Sequence, residues 1–444
     1  MKNKRVVLIA GIIVSLLLGG CGVQGTDDGV DEAAKSQGSD KNAAVDLTFA
    51  WWGNQTRNEM TQEVINLFTE NNPNVEIDGQ FAEWADYWNK LATASAGHTL
   101  PDLVQMDYKY LEQYANNKLL LDLTPYIEDG TIDVSNIDEN NLNIGRVGEG
   151  IYGICLTVAP PALMYNKNLL DDNGITVKDN MTLEEFYDVC REVYEKTGYK
   201  TNFNYGSEVY LEYLLRANGE VLFEKGKLGA ASPASLKPFF EIYELGLDEG
   251  WHLEPSVFAE RTLGSIEQDP LVYGTSADNM SWCSFMWGNQ LTAMQNAAPE
   301  GMDIAIVTYP SPDPVKSNFL KPSQLFSITV DSKNQDESAK FLDFLVNSVE
   351  CNEIILCERG IQTNTVVGEA IMPKLGEKDQ EAIKYVNEVV IPNSSQVNPA
   401  PPEGASEVIS LLTKLEERVC YREITAEQAA QELFEQGNAI MSSK

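Results

Sequence analysis

Aromatic side chains gather at four places in this chain, three of them with amides alongside, each where a strand or helix adjoins a turn. "LTFAWWGNQ" (47–55) ends an apolar run on Trp51 and Trp52 and passes at once to Gly53 and Asn54. "FAEWADYW" (81–88) brings Trp84, Tyr87 and Trp88 to a helix start, and "QMDYKY" (105–110) sets Asp107 and Tyr108 just past an apolar segment. "SWCSFMWGNQL" (281–291) joins Trp282, Phe285 and Trp287 to Asn289 and Gln290. Indole rings stack on the apolar faces of sugar-like rings, while Asn, Gln and Asp satisfy hydroxyl groups through paired hydrogen bonds. The chemistry open to such a set is the binding of a neutral, polyhydroxylated ligand.

Each of these residues has a second reading as plain structure. Side chains alternate between the two faces of a strand, so one of Trp51 and Trp52 packs into the core, and the alternation does not say which. Tyr87 and Trp88 fall at core spacing on their helix. Asp107 suits a helix N-cap. Trp282 and Trp287 suit a hydrophobic cluster under a loop, although both lie beside amides in a stretch too irregular for a clean helix.

Catalytic patterns are missing from the sequence. The two histidines, His98 and His252, stand in no HExxH and near no cysteine pair, so imidazole catalysis and a histidine metal site find no support. No GxxxxGK[ST] occurs, no GxGxxG after a strand, and no GxSxG elbow. "DDGVDE" (27–32) lacks the spacing of a calcium loop. No catalytic residue, metal or cofactor is assigned. A carboxylate pair for glycoside hydrolysis carries no signal among 67 Asp and Glu, so a cell-surface glycoside hydrolase or other carbohydrate-active lipoprotein stays as the alternative.

The elements that must position these residues alternate in type. Residues 46–51 read as a strand and 56–70 as a helix, with Met60, Val64, Leu67 and Phe68 at helical spacing. "NNP" stops that helix, "NVEIDG" reads as a strand, "WADYWNKLATASAG" as a helix and "PDLVQMD" as a strand. Strand–helix alternation implies βαβ units and mostly parallel sheets. Capping boxes at Thr182/Glu185 and Thr425/Gln428 open later helices, and "IPNSSQVNPAPPEGAS" (391–406) reads as a loop.

At the N-terminus, "MKNKR" precedes the apolar "VVLIAGIIVSLLL", too short to span a bilayer, and then "LGGC". This ending resembles a bacterial lipobox: residues 1–20 would be a signal peptide and Cys21 would carry lipid. Residues 21–44, polar, acidic and rich in Gly and Ser, read as a flexible tether. Loss of Lys2, Lys4 and Arg5 with the signal would take the formal net charge from −35 to −38. Such a surface repels phosphate backbones, which argues against a nucleic-acid partner. With 444 residues and 43% hydrophobic content, the chain can build two or three lobes without disulfide staples, and most of Cys155, Cys190, Cys283, Cys351, Cys357 and Cys420 read as free thiols, the pairing of Cys351 with Cys357 staying open.

Several stretches, in this order, resemble an extracellular solute-binding protein of a bacterial carbohydrate ABC transporter, the family that includes maltose-binding protein. They are "VINLFTENNPNVEI", "PDLVQMD", "YLEQYANNKLLLDLTPYI", "YGICLTVAPPALMYNKNLL", "SADNMSWCSFMWGNQL", "KPSQLFSITVDSKNQDESAKFLDFLVNS" and "ERGIQTNT". The resemblance implies an α/β, two-lobed fold with a mostly parallel sheet flanked by helices in each lobe and a cleft between. It implies lobe one at 45–155 plus 308–360, lobe two at 158–305 plus 366–444, and crossings near 153–160, 303–310 and 359–366. A lipid-anchored monomer on the outer face of the cell membrane would then pass a sugar, expected to be an oligosaccharide, to permease subunits. Trp51, Trp52, Asn54, Trp84 and Asp107 would meet the ligand from lobe one, and Trp282, Trp287, Asn289 and Gln290 from lobe two. For a sugar acid, Arg57 and Arg359 are the cations expected near the cleft.

Overall fold

The computed structural model describes residues 44–53, 55–82, 84–203, 207–259 and 266–443. Residues 1–43, which the sequence reading gave to a signal peptide, a lipid-bearing Cys21 and a tether, lie outside the described residues, as do Asn54 and the side chain of Trp84.

The first strand, Val45–Trp52, shows how the lobe-one sheet is built. Leu47, Phe49 and Trp51 point to one face, where Val64 and Phe68 of the helix Gln55–Asn71 and Phe341 and Leu345 of the helix Gln335–Asn347 cover them. Ala50 and Trp52 point to the other face, against Tyr87 and Leu91 of the helix Trp84–Gly97. Two-residue periodicity therefore buries both tryptophans, on opposite faces of one central strand.

Lobe one holds a six-stranded sheet in the order Ile361–Gln362, Ile154–Ala159, Lys321–Ile328, Leu103–Met106, Val45–Trp52, Val75–Ala82. Val45–Trp52 pairs parallel with both neighbours, as helical crossovers require. Lobe two holds a three-stranded sheet in the order Cys283–Trp287, Pro161–Asn166, Ile304–Val307. The α/β, two-lobed architecture stands, but the strand directions correct the expectation of mostly parallel sheets. Lys321–Ile328 enters from lobe two and runs antiparallel to both of its neighbours, and Pro161–Asn166 is antiparallel to both of its own.

One passage between the sheets falls later than the sequence implied. Ile154–Ala159 belongs wholly to the first sheet, so the chain crosses at Pro160. Residues 308–319 stay with lobe two. There the Tyr213 hydroxyl donates to the Tyr309 carbonyl at 3.1 Å, and the short helix Pro314–Ser317 packs on the helix Ser207–Ala217. The return crossing therefore comes between Phe319 and Lys321 rather than at 303–310. One end of the six-stranded sheet thus collects the last residues of Val45–Trp52, Leu103–Met106 and Ile154–Ala159 and the first residue of Lys321–Ile328. That end faces the gap between the lobes, the place where open α/β sheets gather ligands.

Candidate ligand-binding site

A cavity of about 530 Å³ opens between the lobes. Asp107, Tyr108, Lys109 and Lys321 line it from lobe one, and Glu208, Glu212, Phe223, Trp287 and Phe319 from lobe two. A second cavity of about 440 Å³, lined by Glu112, Asn143 and Arg146 of lobe one, shares Tyr108 and residues 397–399 with the first. Val397–Pro399 thus separates two adjoining chambers of one cleft.

Local sequence explains how each wall is held. Asp107 ends the strand Leu103–Met106 and caps the helix Tyr108–Asn116, its Oδ1 accepting from the Lys109 amide at 2.9 Å. The capping reading and the cleft reading are both met by this residue. Trp287 ends the strand Cys283–Trp287, and the turn beyond it is pinned twice. Its amide donates to Gln290 Oε1 at 3.1 Å, and the Gly288 amide donates to the Pro160 carbonyl at 2.8 Å. A Cβ on Gly288 would lie 3.1 Å from Pro160 Cγ, so the missing side chain lets the turn press against the crossing. The Trp287 ring is partly exposed, with Phe319 edge-on at 6.4 Å and the Lys321 ammonium 4.5 Å from its centre. Lys321 comes from lobe one and Trp287 from lobe two, so this cation–π contact bridges the cleft.

The segment dividing the chambers is an extended stretch between the turn Ile391–Asn393 and the helix Ala405–Cys420. Pro399, Pro401 and Pro402 lack the N–H that helix or sheet would need. Buried Arg216 fixes it instead, donating to Asn398 Oδ1 at 2.5 Å, Ser395 Oγ at 2.6 Å and the Gln396 carbonyl at 2.8 Å. From lobe one the Tyr108 hydroxyl donates to the Asn398 carbonyl at 3.1 Å.

Burial shifts two groups here. It pushes the Glu212 carboxyl up to about 7, against the pull of Arg216. It lowers the Lys321 ammonium, opposed by the fields of Asp107 and Glu208, while the Lys321 side chain stays open to the cleft.

Of the residues named from the sequence, the structure brings Asp107 and Trp287 to this cavity and places others elsewhere. Trp51 is 1% exposed, and its indole N–H donates to Asn58 Oδ1 at 2.9 Å. Trp52 is 9% exposed and packs on Tyr87 and Trp88 at 5.3 and 5.7 Å. Neither lines either chamber, which corrects the expectation that one of them faces ligand. Trp282 is fully buried, packs on Phe186 and donates to Thr201 Oγ1 at 2.9 Å. Five steps along the strand, roughly 16 Å, separate it from Trp287, and that length carries it away from the cleft end. Asn289 is exposed on the turn outside the cavity lining, and Gln290 holds the turn rather than lining the chamber. Trp84 opens its helix.

The two expected cations are engaged elsewhere. Arg57 pairs with Glu358 at 3.0 Å. Buried Arg359 donates to Gln105 Oε1 at 2.9 Å, Gln324 Oε1 at 2.7 Å and Thr61 Oγ1 at 2.5 Å.

A model of the bacterial extracellular solute-binding protein family matches residues 52–349. The chain belongs to this family. Among solved structures, an extracellular solute-binding protein family 1 member from Alicyclobacillus acidocaldarius is similar at a TM-score of 0.82 and 24% identity, over 90% of this chain and 99% of that one. The sugar-binding protein MalE from Xanthomonas citri is similar at 0.71 and 18%, over 90% and 98%. A periplasmic oligogalacturonide-binding protein from Yersinia enterocolitica, in complex with saturated digalacturonic acid, is similar at 0.68 and 21%, over 90% and 99%. At these identities the likeness is one of fold.

In this solute-binding protein, sequence reasoning passed over Glu208, Glu212, Phe319, Lys321 and Asn398. Lys321 carried one usable signal: it is the first residue of "KPSQLFSITV", where the chain re-enters lobe one. Glu208 and Glu212 show the i, i+4 spacing of one helix face, which the sequence repeats on many solvated helices.

Proposed function

We propose that this solute-binding protein captures a sugar, and specifically an oligosaccharide, in the cleft and delivers it to the permease of an ABC transporter. The observation that carries the reading is the cavity at Trp287. A partly exposed indole from one lobe faces carboxylates and a lysine from both, which is the pairing of stacking face and hydroxyl-binding groups that a sugar ring calls for. The adjoining chamber supports a ligand of more than one ring, and the sugar-binding Xanthomonas and oligogalacturonide-binding Yersinia proteins agree with the class. A ligand touching Trp287 and Asp107 together gains contacts only when the lobes are close, so binding favours the closed form that a permease would receive. Lipid on Cys21 would hold the protein at the outer membrane face as a monomer.

One arrangement favours hydrolysis instead: Glu212, raised by burial, lies on the same helix as Glu208. Titration calorimetry over a panel of oligosaccharides, followed by chromatography of the recovered sugar, separates the readings. Saturable binding with the sugar returned intact supports capture, and cleavage by the purified protein would overturn it. Cys21→Ala should move the protein from the membrane to the soluble fraction, and unchanged membrane retention would remove the anchor from the proposal.

A further inference from the structure

The charges in the cleft bear on which kind of sugar it can take, an inference that rests on the capture reading above. Three acidic side chains, Asp107, Glu208 and Glu212, line the main chamber with two lysines, Lys109 and Lys321, and burial favours the neutral form of Glu212. The Lys109 ammonium lies over the Tyr110 ring, 5.4 Å from its centre. Lys321 is on the Trp287 ring, in the fields of Asp107 and Glu208. Among the described residues no arginine lines this chamber, and Arg146 of the adjoining one donates to Asn143 Oδ1 at 2.9 Å and to the Glu149 carbonyl at 3.0 Å. Arg57 is paired with Glu358, Arg359 is buried among amides, and Arg216 is spent on the 395–398 segment. The cations that a bidentate grip on a carboxylate needs are therefore committed elsewhere.

We propose that the cleft selects uncharged oligosaccharides and rejects their uronic-acid counterparts, with Glu208 and Lys321 setting that choice. A sugar hydroxyl can donate to each wall carboxylate and accept from Lys321. A ring carboxylate can only accept, so it removes one of the donors open to Asp107 and Glu208 and sets a like charge beside them in a confined, partly desolvated space. The Lys321 ammonium does not reverse this balance, because a uronate would have to draw it away from two carboxylates and an indole face. The ligand class proposed here thus differs from the digalacturonic acid held in the structure of the Yersinia neighbour.

The test is titration calorimetry on the purified protein with neutral trisaccharides of the gluco, galacto, manno and xylo series and with trigalacturonate and trimannuronate. The best neutral sugar should bind at least thirtyfold more tightly than either triuronate, with the gap narrowing as salt rises. Glu208→Lys should strengthen triuronate binding at least tenfold and weaken neutral-sugar binding. Glu208→Gln, checked by its melting curve, should move both in the same directions by less. A triuronate within tenfold of the best neutral sugar in the parent protein would overturn the selectivity and leave sugar capture standing. Binding of no sugar at all would overturn both.

Discussion

At the scale of single residues, three tryptophans of similar sequence setting do different work. Trp51 fills the space between the first strand and two helices, with its N–H satisfied by Asn58. Trp51→Ala should cost about 3–5 kcal/mol of stability through a cavity and a stranded amide. Trp52→Ala should also lower the melting temperature, with affinity unchanged in the protein that remains folded. Trp287→Ala should do the reverse, weakening sugar binding by about 2 kcal/mol or more, roughly thirtyfold, while the melting temperature holds. Calorimetric titration and melting curves on the three variants check all of this, and an unaltered affinity in Trp287→Ala would place the ligand elsewhere. Glu212 adds a pH dependence. Its folded pKa of about 7 lies above the ordinary value of 4.5, so the fold prefers the protonated acid. The stability this contributes is fully present below pH 4.5 and is lost as pH rises through 7. Glu212→Gln should therefore match the parent near pH 4 and exceed it at pH 8 by roughly 1–3 kcal/mol, as read from urea unfolding at the two pH values.

At the scale of elements, the 394–402 segment divides the cleft without a regular structure of its own, and it depends on Arg216. That guanidinium also donates to the Ser317 carbonyl at 3.1 Å, so it ties the segment to the lobe-two stretch just before the return crossing. Arg216→Met keeps most of the volume and removes every donor. It should cost about 2–3 kcal/mol, because buried acceptors lose charge-assisted partners, and amide exchange should rise first in residues 394–402. Arg216→Lys should rescue little, since one ammonium cannot span Ser395, Gln396 and Asn398. The helix Leu183–Thr197 supplies a contrast away from the cleft. Its capping box, Thr182 with Glu185, is formed as the sequence indicated, and Thr182→Ala should cost about 1 kcal/mol with no change in sugar affinity.

At the scale of the whole molecule, the proposed capture predicts that a ligand draws the two lobes together. The chain passes between sheets at Pro160, again between Phe319 and Lys321, and once more after Gln362, so few backbone torsions separate open from closed. A bound sugar should reduce the radius of gyration in small-angle scattering. At a hundredfold excess over Kd it should stabilise the native state by about 2.7 kcal/mol. A ligand that raises the melting temperature with no change in scattering would bind one lobe alone.

Much of this architecture lies in short-range pattern. Alternation placed Trp51 and Trp52 on opposite faces, helical spacing put Val64 and Phe68 on one side of the helix Gln55–Asn71, and box residues marked the helix starts at Thr182 and Thr425. The ordered motifs carried the family and the existence of a cleft. They also singled out Asp107 and Trp287, because a polar or aromatic residue at a strand end is a local feature. The rest needed the folded chain. Whether a strand face is covered depends on helices distant in sequence, such as Gln335–Asn347 over Trp51 and Trp84–Gly97 over Trp52, and so the alternation could not show that both tryptophans are buried. The remaining cleft wall joins Lys321 to Trp287 and Tyr108 to Asn398, pairs 34 and 290 residues apart in the chain. No periodicity spans such distances. Only the packing of one lobe against the other brings those charges to a single chamber, because contacts between residues so far apart in the chain form only in the folded molecule.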